Sequence, residues 1–314
     1  MDAVTAFAPA TVSNVACGFD VLGFALHEPG DEVTARWSDA GVRIDDIVND
    51  GGRLPRDAGR NTAGVAAAAV LRTIGERRGV ALTIRKGLPL SSGLGGSAAS
   101  AVAAAVAVDA LAGVRLPLEV LLSCAFEGER DGAGSAHADN IAPCLYGGFV
   151  LVRRPDPPDV IRLPVPPALT AVVVHPDLEI ETASARALLG NTVPLGDAIR
   201  QWANLGAFVD ALHRGDLPQL ARSLEDTIAE PRRAPLVPGL RAIKQAAADA
   251  GALGCSLSGS GPSLFALCDG RPTAERVAAA MTRAVVEHIG GSPQTYVSPI
   301  AAPGARVLVA PCAS

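Results

Sequence analysis

A chain of 314 residues that is 49% hydrophobic and 19% charged is long enough to bury two cores and too apolar to be disordered. Its formal net charge of -5 is scattered without a basic run, which excludes a nucleic-acid surface. Its apolar run Ala98–Val108 falls short of the about 20 residues that cross a bilayer, and "MDAVTAFAPATVSN" lacks a basic-then-apolar leader, so a soluble cytoplasmic protein with no membrane partner is expected.

In chain order, "EVTARW" places Val33, Ala35 and Trp37 on one face of a strand, and "GVRIDDI" does the same with Val42 and Ile44. A helix is expected from about Thr62 to Arg78, stopped by Gly79. "VALTIRKG" then reads as a strand that delivers the chain into the cluster "LPLSSGLGGSAAS". A helix follows from Ala98 to Val108, and another through "LPLEVLLSCAFEGERDG", with Pro117 near its first turn. "YGGFVLVRR" closes this half as a strand. The prolines of "PDPPDVIRLPVPP", residues 155–167, disfavour regular structure and set a boundary between units 1–155 and 165–314. Beyond it come a buried strand "LTAVVVHP", helices to about Ala250, and strand, glycine turn and strand in "ALGCSLSGSGPSLFALCD". A helix from about Thr273 to His288 and two short strands, "TYVSP" and "RVLVA", end the chain. Strands and helices mix without regular alternation, which predicts an α+β fold. The six cysteines, Cys17, Cys124, Cys144, Cys255, Cys268 and Cys312, form no C-x-x-C pair, and buried thiols are expected.

The cluster before the alanine helix carries chemistry. Glycines let backbone N–H groups approach an anion, and the first N–H groups of a helix have no internal partner and sit at its positive end. Together they form a phosphate site, with Ser97 placed either to cap the helix or to offer its hydroxyl to a metal or phosphate. An ordinary loop capping a buried helix is the alternative. No Gly-Lys pair exists, which excludes the Walker A pattern. Gly93, Gly95 and Ala98 satisfy G-x-G-x-x-A, but about ninety residues precede them and no acid follows at the required distance, which excludes a dinucleotide fold.

"PLSSGLGGSAAS" resembles the P-x-x-x-G-L-G-S-S-A-A motif of the GHMP kinases. "APATVSNVACGFDVLGFAL", "HADNIAPCLYGG", "EPRRAPLVPG" and the late "SLSGSGPSLFAL" resemble the homoserine kinase branch, in the same order. The resemblance implies ATP- and Mg2+-dependent phosphorylation of L-homoserine to O-phosphohomoserine on the route to threonine. It implies a two-domain fold, an N-terminal domain with a left-handed β-α-β unit and a ferredoxin-like C-terminal domain. Other small-molecule GHMP kinases, of mevalonate, sugar or shikimate type, and a non-catalytic nucleotide-binding relative are the alternatives. A homodimer is one assembly the resemblance allows. This chain departs from the motif at Gly96, where the family has a first serine, and at Cys17, near the implied substrate pocket.

By this resemblance Pro89, Ser92, Gly93, Leu94, Gly95, Gly96, Ser97 and Ala98 form the phosphate loop, with Lys86 and Asn61 toward the adenosine. Ser97 and Glu129 face the magnesium, with Glu127 as the alternative carboxylate. His137 and Asn140 lie near the substrate hydroxyl, and Asn14 and Asp20 receive the ammonium group, Asp20 also being the nearest proton acceptor. Arg186 and Arg233 hold the carboxylate, with Arg232 as the alternative to the second. Residues Ser258, Gly259, Ser260, Gly261 and Pro262 form a supporting glycine loop, for which a plain hairpin turn is the rival reading.

Overall fold

The computed structural model describes residues 2–133, 137–300 and 302–308. Its first sheet starts with β1 (Ala3–Ser13), paired antiparallel with the long β2 (Leu22–Ser38). β3 (Val42–Val48) leads through α1 (Thr62–Ile74) to β4 (Gly79–Arg85), which lies parallel to β3 and antiparallel to β2. The helix ends earlier than expected. Gly75 takes the left-handed conformation (φ 68°) and caps it, while Gly79 already pairs in β4.

Three helices complete this layer: α2 (Gly96–Ala112), α3 (Leu118–Ala133) and α4 (Ala138–Tyr146). α2 extends past the expected bounds at both ends, is packed by β1, β2, α1 and α3, and is buried nearly all round. That enclosure explains its composition. Alanine lets neighbouring backbones approach closely and loses no side-chain entropy on burial.

β5 (Phe149–Arg154) joins β2 at its other end and pairs with β6 (Asp159–Leu163), so the proline-rich stretch 155–167 carries a strand. Only the turn at 155–158 separates the two strands, because an edge strand such as β6 tolerates neighbouring prolines.

The second sheet has the order β10-β7-β9-β8, antiparallel throughout. β7 (Leu169–His175) is followed by α5 (Thr182–Ala187), α6 (Leu195–Arg214), α7 (Leu217–Ser223), α8 (Glu230–Arg233) and α9 (Leu240–Asp249). β8 (Gly254–Leu257), β9 (Leu264–Asp269), α10 (Arg271–His288) and β10 (Gln294–Pro299) complete a ferredoxin-like β-α-β-β-α-β arrangement. β11 (Arg306–Leu308) then crosses back to pair with β1.

The near-continuous apolar run of β7 follows from burial of both faces. Ala171 and Val173 pack into the core shared with the first sheet, and Val172 and Val174 pack under α9 and α10. An aromatic cluster joins the two halves: Phe24 of β2 lies 4.9 Å from Phe149 of β5 and 5.9 Å from Phe265 of β9. The halves therefore share one hydrophobic core, which fixes the walls of the cleft between them. Cys17, Cys124, Cys144, Cys255 and Cys268 are free and buried, and Cys312 lies outside the described residues.

Candidate active site

A cavity of about 500 Å³ opens between the halves, with the glycine cluster as its floor. The loop is held from several sides. Thr11 N–H donates to the Leu94 carbonyl (3.1 Å), and Leu94 itself is fully buried, an anchor into the core. The late glycine loop packs directly against the early one. Ser258 Oγ donates to the Gly93 carbonyl (2.7 Å), and Ser263 N–H donates to the Ser92 carbonyl (3.3 Å). Gly93 (φ 76°) leaves no room for a side chain, since a Cβ there would meet the Ser258 carbonyl oxygen at 2.5 Å.

Gly95 caps α2 in the left-handed conformation, with no side-chain cap, so Ser97 stands inside the first turn. The first intrahelical bond runs from Ala99 N–H to the Gly95 carbonyl (2.8 Å), which leaves the N–H groups of Gly96, Ser97 and Ala98 outside the helical ladder. With Pro89, Ser92 and Gly96 also on the cavity wall, donors unpaired among the described residues and the positive helix end coincide at one wall of the cavity.

Ser97 Oγ donates to Glu129 Oε2 (3.1 Å). Glu129 is buried, and its Oε1 has no hydrogen-bond partner among the described residues. Burial raises its pKa to about 7, against the smaller opposing pulls of the Ser97 hydroxyl and the Lys86 charge. A buried carboxylate with an unsatisfied oxygen beside a hydroxyl suits a hard divalent cation, which takes oxygen ligands. Glu127 faces away and pairs with Arg72 (2.7 Å) outside the cavity.

The other end of the cavity gathers charge. Asp20, with φ 60°, forms a two-pronged ion pair with Arg186 (2.6 and 2.8 Å). Arg233 is buried and donates to the Gly259 carbonyl (2.9 Å); both guanidinium groups lie over the Phe19 ring, at 5.3 Å for Arg186 and 5.4 Å for Arg233. Arg232 instead reaches the Leu189 and Thr192 carbonyls and does not line the cavity. His137 is the N-cap of α4, and its pKa is lowered by burial and by the two arginines, against the opposing pull of Asp20. The "HADN" string thus opens a helix. Asn140, one turn in, accepts from Thr11 Oγ1 (2.8 Å) and lines the cavity.

Three expected ligands are occupied within the protein. Lys86 gives its donors to Asp31, to the Gly96 carbonyl (2.7 Å) and to Ser100 Oγ (2.9 Å), so it braces the first turn of α2 from below and leaves none for an adenosine group. Asn61 caps α1, accepting from Ala63 N–H (3.0 Å) and donating to the Pro55 carbonyl (2.9 Å). Asn14 accepts from Asp20 N–H (3.0 Å) and donates to the Gly259 carbonyl (2.8 Å), which ties the substrate turn to the late glycine loop.

Sequence reasoning missed Asp31 and Ser100, which close the bracket around Lys86, and Phe19, the platform under both arginines. It also passed over Asp139. This carboxylate is buried beside His137 and Asp20, accepts from Asn14 N–H (3.2 Å), and has a pKa raised to about 7 by burial and the Asp20 charge. Its place in "HADN" was the available signal. Asp31 offered none, lying 55 residues from its partner.

The profile described as "GHMP kinases N terminal domain" matches residues 61–148, and "GHMP kinases C terminal" matches residues 208–287. The chain is 48% identical to homoserine kinase of Chlorobaculum tepidum, over 98% of this chain and 99% of that one. It is 43% identical to homoserine kinase of Xylella fastidiosa strain 9a5c, over 96% of this chain and 93% of that one. The crystal structure of homoserine kinase from Cytophaga hutchinsonii superposes with a TM-score of 0.95 at 48% identity, covering 98% of each chain. With glycine loop, buried carboxylate and paired charges assembled in one cleft, the chain belongs to the GHMP kinases and, among them, to the homoserine kinase family.

Proposed function

We propose that this protein transfers the γ-phosphoryl group of ATP to the side-chain hydroxyl of L-homoserine, giving O-phospho-L-homoserine for threonine biosynthesis. One observation carries the reading. A single cavity joins a helix terminus bearing the Ser97–Glu129 pair to a second pole where Asp20 faces Arg186 and Arg233. The first pole suits a polyphosphate and the second a zwitterion, and the relatives named above bear the name of such an enzyme.

In this reading the free N–H groups at the start of α2 hold the phosphates, and Gly93 and Gly95 bring bare backbone up to them. Ser97 and Glu129 hold the magnesium ion, which when bound neutralises phosphate charge. Asp20 releases part of its hold on Arg186 to take the substrate ammonium, while Arg186 and Arg233 take the carboxylate with forked donors. His137 and Asn140 orient the hydroxyl. Catalysis rests on positioning and electrostatics, with Asp20 as the nearest proton acceptor.

We assign the protein to the cytoplasm and to a homodimer. Among the described residues no helix is long and apolar enough to cross a membrane. Leu195, Ile199 and Trp202, exposed at helical spacing along α6, offer an apolar stripe to a second copy. Light scattering that returns the mass of one chain would remove the dimer.

The test is ADP release against L-homoserine, D-homoserine, mevalonate, galactose and shikimate. Turnover is expected with L-homoserine. Turnover confined to an alcohol without an amino-acid head would refute the proposal.

A further inference from the structure

We infer that the segment joining β3 to α1 supplies the cationic side chains that grip the nucleotide's phosphates, through Arg60 and Arg53. The inference rests on the ATP-dependent reading above and extends it to residues outside every motif described so far.

ATP remains anionic after binding one magnesium ion, so a site built only from backbone N–H groups and a carboxylate leaves negative charge uncompensated. The lysine and arginine side chains on the cavity wall, among the described residues, are Lys86, Arg186, Arg233, Arg53 and Arg60. Three of them are committed. Lys86 is closed off by Asp31, Ser100 and the Gly96 carbonyl. Arg186 is held by Asp20, and Arg233 is held by the Gly259 and Ala185 carbonyls over Phe19, at the substrate pole. Lys244, the chain's other lysine, pairs with Glu230 and does not line the cavity.

The remaining two lie on one segment. The Arg60 guanidinium has no hydrogen-bond or ion-pair partner among the described residues, its backbone N–H donates to the Asp57 carbonyl (3.0 Å), and the residue lines the cavity. It stands two positions before Thr62, whose hydroxyl donates to the Ser97 carbonyl (3.2 Å), so its segment abuts the first turn of α2. Arg53 also lines the cavity, beside Pro89 and Leu90 at the start of the phosphate loop. Its guanidinium is engaged by Glu179 (2.8 and 3.0 Å), with both side chains about half exposed, a pair that solvent screens and a polyanion can displace. A planar guanidinium matches phosphate oxygens with paired donors, so both side chains suit the task chemically.

Because both arginines are exposed, their replacement leaves the core intact. Calorimetric titration of the full-length protein with MgATP, MgADP and adenosine tests the inference on wild type, R60Q, R53Q and E179Q. R60Q and R53Q are each expected to weaken MgATP about tenfold, with adenosine affinity and the KM for L-homoserine unchanged. E179Q, which frees Arg53, is expected to tighten MgATP about threefold. Either arginine loses its assigned part if its variant binds MgATP as wild type does, or loses adenosine and MgATP equally. E179Q that weakens MgATP removes Arg53. A wild type that binds no adenine nucleotide overturns the kinase reading itself, an outcome separate from intact wild-type binding with indifferent variants.

Discussion

Glu129 is buried at a cost, because a carboxylate leaves water only if something compensates it. Here the Ser97 hydroxyl engages one oxygen, and the other has no partner among the described residues. Replacement by glutamine keeps the shape and removes the charge. Glu129→Gln should stay folded and lose about a hundredfold in kcat at saturating MgATP. Steady-state kinetics showing a wild-type rate would contradict its assignment to the metal.

Asp139 makes a second prediction. Its pKa rises from an ordinary 3.8 to about 7 in the folded protein, among Asp20, His137, Arg186 and Arg233. Between those values the folded state binds more protons than the unfolded one, so this group's contribution to stability declines as pH rises through the interval. Asp139→Asn keeps an oxygen for the Asn14 N–H and cannot ionise. Its stability relative to wild type should rise by about 4 kcal/mol between pH 4 and pH 8, measured by urea unfolding. Equal slopes for both proteins would count against it. None of this was visible in the residues alone, since burial decides which acid in "HADN" or "FEGERDG" is perturbed.

At the level of elements, the junction between the phosphate loop and α2 separates two neighbouring glycines. Gly95 has φ 68°, and a Cβ there would meet Thr11 Oγ1 at 2.2 Å. Gly95→Ala should therefore cost about 2 kcal/mol or more and disable the loop. A Cβ on Gly96 would meet nothing closer than Lys86 Nζ at 3.6 Å, an ordinary contact. Gly96→Ser, which restores the family serine, should change stability by less than about 1 kcal/mol and leave ATP-dependent turnover intact. Thermal melts and kinetics of the pair check both expectations. The glycine cluster and the alanine helix were legible from composition alone, since a helix buried nearly all round has no polar face to set a period. The end of α1 was not, because two glycines competed for the stop and backbone conformation chose Gly75. The internal partners of Lys86 were hidden for a similar reason. A lysine before a phosphate loop suggests a ligand, and only the fold shows Asp31 beneath it.

Across the whole molecule, function depends on two sheets meeting through one core. Phe24, Phe149, Phe208 and Phe265 connect them, and the Gly93–Ser258 and Asn14–Gly259 contacts carry that rigidity into the cavity. The α+β class and the strand-turn-strand of the late glycine loop could be read from pattern. The return of β11 to β1 could not, because pairing between the chain's two ends leaves no local signature. The bipolar cavity yields a specificity prediction. A hydroxy acid lacking the ammonium group must break the Asp20–Arg186 pair without replacing it, so its kcat/KM should fall at least about a hundredfold below that of L-homoserine. Comparison of 4-hydroxybutyrate with L-homoserine measures this, and equal efficiencies would refute the bipolar assignment.

The most direct measurement is a crystal structure of the protein with magnesium, a non-hydrolysable ATP analogue and L-homoserine. The triphosphate should lie on the N–H groups of residues 95–98 with the ion against Ser97 and Glu129, and the amino-acid head between Asp20 and the arginines. A triphosphate bound away from the start of α2, or an ion that leaves Glu129 untouched, would contradict the account.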